Sequence, residues 1–265
     1  MPLVYLTKGI EFSAAHRYLR DEWTPEKNRE VFGACYNEPG HGHNYFLDVT
    51  VAGDVESQTG MVVNLYDLKI VLLQMLEEFD HKHLNYDTPY FKDRVPTLEN
   101  VARVLWKALE RHRNIGQLSV LELAEDEDLS VTLRAENGLD RASISRRFEV
   151  PTVVAGSGGS IGGVRGPVTD LWVTVQGPID DVTGMITDLR RLDRIVREHV
   201  VSRWDTVRSP RSTSGRAVSG EELVRRLWTA LQPVLSEAGQ SSALERVKLV
   251  ESRDLCFECS ATGSH

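Results

Sequence analysis

Cysteine is scarce: the chain has three in 265 residues, too few and too oddly placed for a disulfide framework. Cys35 stands alone, whereas Cys256 and Cys259 form a C-x-x-C spacing that invites a zinc or redox reading. That segment reads as a strand (Val247, Leu249, then Leu255, Phe257), where side chains three apart point to opposite faces, so the two thiols do not converge. A reducing, cytoplasmic compartment is the expectation. No apolar run approaches the roughly 18 residues of a membrane helix, and no signal-peptide pattern opens the chain, so neither insertion nor secretion is expected. A basic excess is missing as well. Lys+Arg 31 against Asp+Glu 39 gives a net charge of −8, which argues against a general nucleic-acid binder but leaves room for an anionic substrate in a local basic pocket. What remains, 41% hydrophobic and 26% charged residues, is ordinary for a globular protein. The length allows one large domain or two small ones.

An internal repeat decides between them. Asp48–Gly53 followed by Gly60-Met61-Val62-Val63-Asn64-Leu65 returns as Trp172–Gly177 followed by Gly184-Met185-Ile186-Thr187-Asp188-Leu189, both displaced by 124 residues. Thr97-x-Glu99 ahead of Leu105-Trp106 returns as Ser219-x-Glu221 ahead of Leu227-Trp228, and Leu121-x-Leu123-x-Glu125 as Val247-x-Leu249-x-Glu251. Each copy reads strand, strand, helix, helix, strand, strand. In the first, alternation marks strands around Tyr5–His16, Tyr45–Val51, Leu118–Glu125 and Leu129–Leu133. Leu65, Leu68, Val71, Leu72, Met75, Leu76 and Phe79 have helical spacing, and a second helix starts at an N-cap, Thr97. Ser219-x-x-Glu222 is the matching capping box, and Glu136–Arg141 reads as the linker. The expectation is an α+β chain of two tandem ββααββ units, 1–138 and 139–265, antiparallel sheets with helices on one face. Exposed sheet edges are a hazard unless paired, so assembly into a closed barrel is expected.

The densest chemistry lies in Cys35 to Tyr45. His41 and His43, two apart on an extended segment, lie on one face, and His16 ends the strand that should run alongside. Three imidazoles with an open fourth position describe a catalytic zinc site better than a closed structural one. Cys35, six residues before His41, would be favoured as thiolate near a metal. Asp80-His81 offers a base beside an orienting carboxylate.

These residues carry a resemblance. FSAAH, CYNEPGHGHNY, GMVVNLYDLK, FDHKHLN and PTLENVARVLW resemble, in kind, order and spacing, the 6-pyruvoyl-tetrahydropterin synthase family, whose bacterial branch includes 6-carboxytetrahydropterin synthase of queuosine biosynthesis. The resemblance covers residues 4–133 and implies the tunnelling fold (T-fold), with active sites at the interfaces of a barrel. It implies His16, His41 and His43 as Zn2+ ligands, Cys35 as catalytic base, and Asp80 and His81 as its proton relay. It further implies Glu125 as pterin anchor, with Thr97 at the pocket rim. The implied substrate is a small-molecule pterin triphosphate, 7,8-dihydroneopterin triphosphate, with Lys82 and Arg17 as candidates to meet its phosphates. Cys35-x5-His41 spacing is closer to the pyruvoyl-forming branch, while Glu38 resembles variants that release 6-hydroxymethyl-dihydropterin. A non-catalytic pterin-binding or assembly protein is the reading from another class, and a urate-oxidase-like tandem enzyme a third, which leaves the histidines unexplained. In the second copy His41-Gly42-His43 becomes Arg165-Gly166-Pro167, His16 falls near Val154, the cysteine loop becomes the glycine-rich stretch 155–163, and Asp80-His81 becomes Trp204-Asp205; only Glu251 survives. One active and one degenerate unit per chain are expected. The implied assembly is a homo-oligomer, three two-unit chains supplying six units, with no nucleic acid and no membrane as partner.

Overall fold

The computed structural model describes residues 3–151, 168–204, 207, 218–236 and 241–261. Val154, the glycine-rich stretch 155–163, Arg165–Pro167 and Asp205 lie outside the described residues. The chain divides into two compact units, one of Met1–Ile144 with Pro178–Ile186, the other of Ser145–Gly177 with Thr187–His265.

In the first unit, β1 (Val4–His16) and β2 (His41–Gly53) pair antiparallel over their whole length, from Val4 opposite Gly53 to His16 opposite His41. β2 continues to β4 (Gln117–Asp126), and β4 to β5 (Leu129–Arg134). A two-residue strand, β3 (Lys82–His83), lies parallel to Ala14–Ala15. Alternation along β2 sets the buried face: Tyr45, Leu47, Val49 and Val51 are all fully buried, each worth roughly 1.5–3 kcal/mol. Helix α1 (Pro25–Phe32) precedes β2. Helix α2 (Leu65–Leu76) buries Leu68, Val71, Leu72, Met75 and Leu76, and Asn64 caps it by accepting from the Tyr66 amide. After a four-residue turn of helix, α3 (Leu84–Asp87), comes α4 (Leu98–Leu109), capped by Thr97 and packed on α2, β4 and β5.

The second unit repeats the plan. β6 (Arg141–Pro151) begins in the first unit, and β7 (Val168–Pro178), β8 (Ala243–Ser252) and β9 (Leu255–Ser260) follow, with β7–β8 and β8–β9 antiparallel. Asp188 caps α5 (Leu189–His199), and Ser219 caps α6 (Gly220–Leu235). The repeat extends to irregularities: the β2–β4 register slips between Thr50 and Val51, and the β7–β8 register between Thr174 and Val175. Bulges are placed features rather than defects, so their recurrence at matching positions confirms the tandem α+β architecture read from the chain. β9 is a strand, as expected, and none of the three cysteines is in a disulfide.

Candidate metal centre

Strand pairing builds the site. With His16 opposite His41 and His43 two residues further on, three imidazoles gather where β1 ends and β2 begins. Glu125, near the end of β4, completes the group. One donor atom from each of His16, His41, His43 and Glu125 lies within 4.8 Å of all the others. His16 is fully buried; its Nδ1 lies 3.2 Å from the Pro96 carbonyl and 3.1 Å from the Tyr45 hydroxyl. A carbonyl can only accept, so Nδ1 carries the proton and Nε2 turns a lone pair into the cluster. That Nε2 is 3.1 Å from Nε2 of His41 and 3.7 Å from Oε1 of Glu125. His43 Nε2 is 2.8 Å from the same Oε1, but the ring is not aimed for a hydrogen bond, and Nε2 of His43 and Oε2 of Glu125 are buried without one.

The electrostatics suit a cation. Burial, only partly opposed by Glu125, lowers the His16 pKa to about 4, and burial with the neighbouring His43 lowers that of His41. Both rings are therefore neutral at neutral pH. Burial works against protonating His43, but the Glu125 carboxylate outweighs it and its pKa is raised. For Glu125 burial favours the acid, and the three histidines overcome it, holding the carboxyl below its ordinary value. Mutual dependence of this kind, with His43 Nε2 buried and without a hydrogen bond, fits a divalent ion among the three imidazoles with the carboxylate beside them.

Cys35 sits half-buried in a short 3-10 turn, Gly33–Tyr36, packed against Tyr18, Phe32 and Val95. The Tyr18 amide donates to its carbonyl at 2.8 Å. Tyr18 in turn lies edge-on to the His16 ring, so one residue connects the Cys35 turn with the histidines. Asp80 and His81 do pair, Oδ2 to Nδ1 at 2.9 Å. The Ser13 amide donates to Oδ1 of Asp80 at 2.8 Å, and this bond, ahead of the His81 contacts, holds the Asp80 carboxyl below its usual range. The pair stays outside the histidine–glutamate group, with the His81 side chain 81% exposed. His81, but not Asp80, borders an open cleft of about 460 Å³ that also touches Gly42 and His43.

Thr97 is fully buried; its hydroxyl donates to the Gly184 carbonyl at 2.7 Å and accepts from the Asn100 amide. Arg17 is buried and engaged by Glu38, 2.8 Å from Nη1, and by the Tyr36 carbonyl; Lys82 is exposed. Two features escaped the reading of the chain. Glu125 belongs to the same group as the histidines, which separation in sequence hides. Glu99 is a fully buried carboxylate that accepts the Ile186 amide at 2.9 Å and whose pKa burial pushes up to about 7.

The family described as "6-pyruvoyl tetrahydropterin synthase" matches residues 5–136 and again residues 143–262. A 6-pyruvoyl tetrahydrobiopterin synthase of Pongo abelii is 41% identical over 132 residues, 49% of this chain and 91% of that protein. A 6-carboxy-5,6,7,8-tetrahydropterin synthase of Aquifex aeolicus is 31% identical over 103 residues, 37% of this chain and 60% of that protein. The solved structure of Caenorhabditis elegans 6-pyruvoyl tetrahydropterin synthase is 34% identical, covers 51% of this chain and 97% of that one, and superposes with a TM-score of 0.48.

Proposed function

This chain belongs to the 6-pyruvoyl tetrahydropterin synthase family, and from that premise we propose that its first unit is a zinc-dependent lyase converting 7,8-dihydroneopterin triphosphate to a tetrahydropterin with loss of triphosphate. The observation that carries the reading is the convergence of His16, His41, His43 and Glu125 within 4.8 Å. The three histidines would hold the Zn2+, which as a Lewis acid lowers the cost of ionising the substrate's side-chain hydroxyls.

The protein's own groups do the rest. Glu125 anchors the pterin: a carboxylate accepts two hydrogen bonds from the guanidine-like edge of that ring, and its Oε2 is buried without a hydrogen-bond partner. Thr97, a rim residue by the resemblance, is buried and would act through the backbone it holds by its bond to Gly184. Cys35, as thiolate, takes a proton from the substrate side chain and returns one as the double bonds rearrange. Asp80 orients His81 through their contact at 2.9 Å, so the pair can accept the proton that Cys35 passes on. Its exposure in the isolated chain suits a site finished at an interface, as the resemblance implies.

The test is incubation of the chain with Zn2+ and dihydroneopterin triphosphate, with mass identification of the product. Release of triphosphate with a 6-pyruvoyl- or 6-carboxy-tetrahydropterin is expected, and Cys35→Ala is expected to lower the rate by at least a hundredfold. Full activity of Cys35→Ala would sink the assignment of the base. A purified protein that takes up no divalent metal would replace the enzyme reading with that of a pterin-binding protein.

A further inference from the structure

The Tyr18 hydroxyl has no part in the chemistry assigned to Cys35, Glu125 and the histidines, yet the chain holds it among them. Tyr18 lies two residues past His16, just beyond the end of β1. Its amide donates to the Cys35 carbonyl at 2.8 Å, and the residue before it is pinned by Asn85, which exchanges two hydrogen bonds with the Arg17 backbone. The ring stands edge-on to His16 and to Phe32, with centroids 4.9 Å and 5.9 Å apart. Phe32 and Val95 are buried with it, and Met185 packs on this group from the Gly184–Ile186 turn. That turn is itself seated, since Gly184 O accepts from Thr97 and Ile186 N donates to Glu99. The ring is thus held on several sides by packing and through its own backbone.

The oxygen on that ring is not used by the protein. Burial apart, the groups that act electrostatically on the phenol are Glu125, Cys35 and Glu99, in that order, and then Tyr45. The Tyr45 hydroxyl is engaged by Nδ1 of His16. Among the described residues the Tyr18 hydroxyl has no such partner, and it is not one of the enclosed polar atoms either, so it opens on accessible space. An unengaged hydroxyl in a nearly closed site is satisfied by water or by a ligand. Its neighbours also define its sense. An ionised Glu125 and a Cys35 thiolate can only accept hydrogen bonds, so Tyr18 is a donor set among acceptors.

We propose that Tyr18 is a further catalytic residue, whose O–H donates a hydrogen bond to a side-chain oxygen of the bound pterin. This role rests on the pterin-lyase reading of the site. In that reading the substrate's side chain lies between the histidines, where its hydroxyls ionise, and Cys35, which takes its carbon-bound proton. Tyr18 adjoins both, the first through its ring and the second through its backbone. Ionisation leaves negative charge on oxygen, and a donor already fixed in place stabilises that charge more in the transition state than in the bound substrate. Tyr18 keeps its proton throughout; the proton leaving carbon goes to the Cys35 sulfur. Packing needs only the ring, so the hydroxyl can be removed without disturbing the cluster.

The test uses the full chain with Zn2+ and two probes, neopterin, which carries the hydroxylated side chain, and 6-methylpterin, which lacks it. Wild type is expected to bind both in a fluorescence titration. Tyr18→Phe is expected to bind 6-methylpterin as wild type does and neopterin about tenfold more weakly. With dihydroneopterin triphosphate its kcat should fall at least tenfold, by more than KM rises, at unchanged metal content and Tm. Tyr18→Leu, apolar but of another shape, is expected to repeat the selective loss. Undiminished neopterin affinity in either folded variant, or equal weakening toward both probes, overturns the proposal and leaves Tyr18 a packing residue. A wild type that binds neither probe overturns the pterin reading itself, and the role of Tyr18 with it.

Discussion

Glu99 is the second residue of α4, and a glutamate there usually does no more than favour the helix N-terminus. Here it is buried, and burial lifts its pKa from 4.5 to about 7 although the Ile186 amide works the other way. The folded state therefore keeps a proton that the unfolded state gives up above pH 4.5. Its stabilising effect is complete below that value and is lost as pH rises through about 7; a full shift of this size corresponds to about 3 kcal/mol. Thermal melts at pH 5 and pH 8 should show wild type losing more stability than Glu99→Gln, and equal losses would refute the titration. The histidines were legible in the chain because strand geometry has a period of two, so His41-x-His43 declares a shared face. Glu99 was not, because a capping carboxylate and a buried one are written with the same letter at the same helix position. Glu125 was read as a pterin anchor only through the family resemblance. Its place beside the three imidazoles depends on β2–β4 pairing, which no local pattern encodes.

Elements were easier to find than to bound. Helical spacing from Leu65 to Phe79 identified α2, yet the helix ends at Leu76 while Phe79 remains fully buried; the periodicity marked the buried face and ran past the last turn. Helix α1 was missed, because among its eight residues only Asn28 and Phe32 are buried, too few for an apolar stripe. Its start was signalled all the same by Thr24, whose hydroxyl accepts from the Lys27 amide, and by Pro25. Thr97 and Ser219 were rightly read as caps, but the turn that covers Thr97 comes from the other repeat. Two glycines measure that cover. Gly138 and Gly184 both have positive φ, +69° and +78°. A Cβ at Gly138 would meet nothing within 4 Å, while at Gly184 it would come 2.4 Å from Asn100 Nδ2 and 2.9 Å from Thr97 Oγ1. Gly138→Ala is expected to cost about 1–2 kcal/mol of backbone strain alone. Gly184→Ala should cost that plus about 1–3 kcal/mol of overpacking, read as a larger fall in the urea midpoint. Equal costs would mean that the turn is not pressed on α4.

At the scale of the molecule, the duplication was the most legible feature, since a fixed displacement needs no knowledge of structure. How the copies share backbone was not legible: Pro178–Ile186 belongs by contact to the first unit although it repeats part of the first copy's own sequence. Metal binding should act on the whole fold. A ligand that binds only the folded state at a hundred times its Kd adds about 2.7 kcal/mol, so Zn2+ is expected to raise the Tm of wild type and EDTA to reverse the rise. His43→Ala should lose most of that response, and a response equal to wild type would place the metal elsewhere.

The seated Gly184–Ile186 turn also bears on how such a gene can change after it doubles. What the second copy lends to the first is a main-chain contour, two peptide groups and a methionine, and lending it requires neither imidazole nor thiol. Loss of reactive side chains from the second copy leaves that contour in place, while a single methyl group at position 184 would not. Through this contact the second copy is held to a shape rather than to a set of reactive groups.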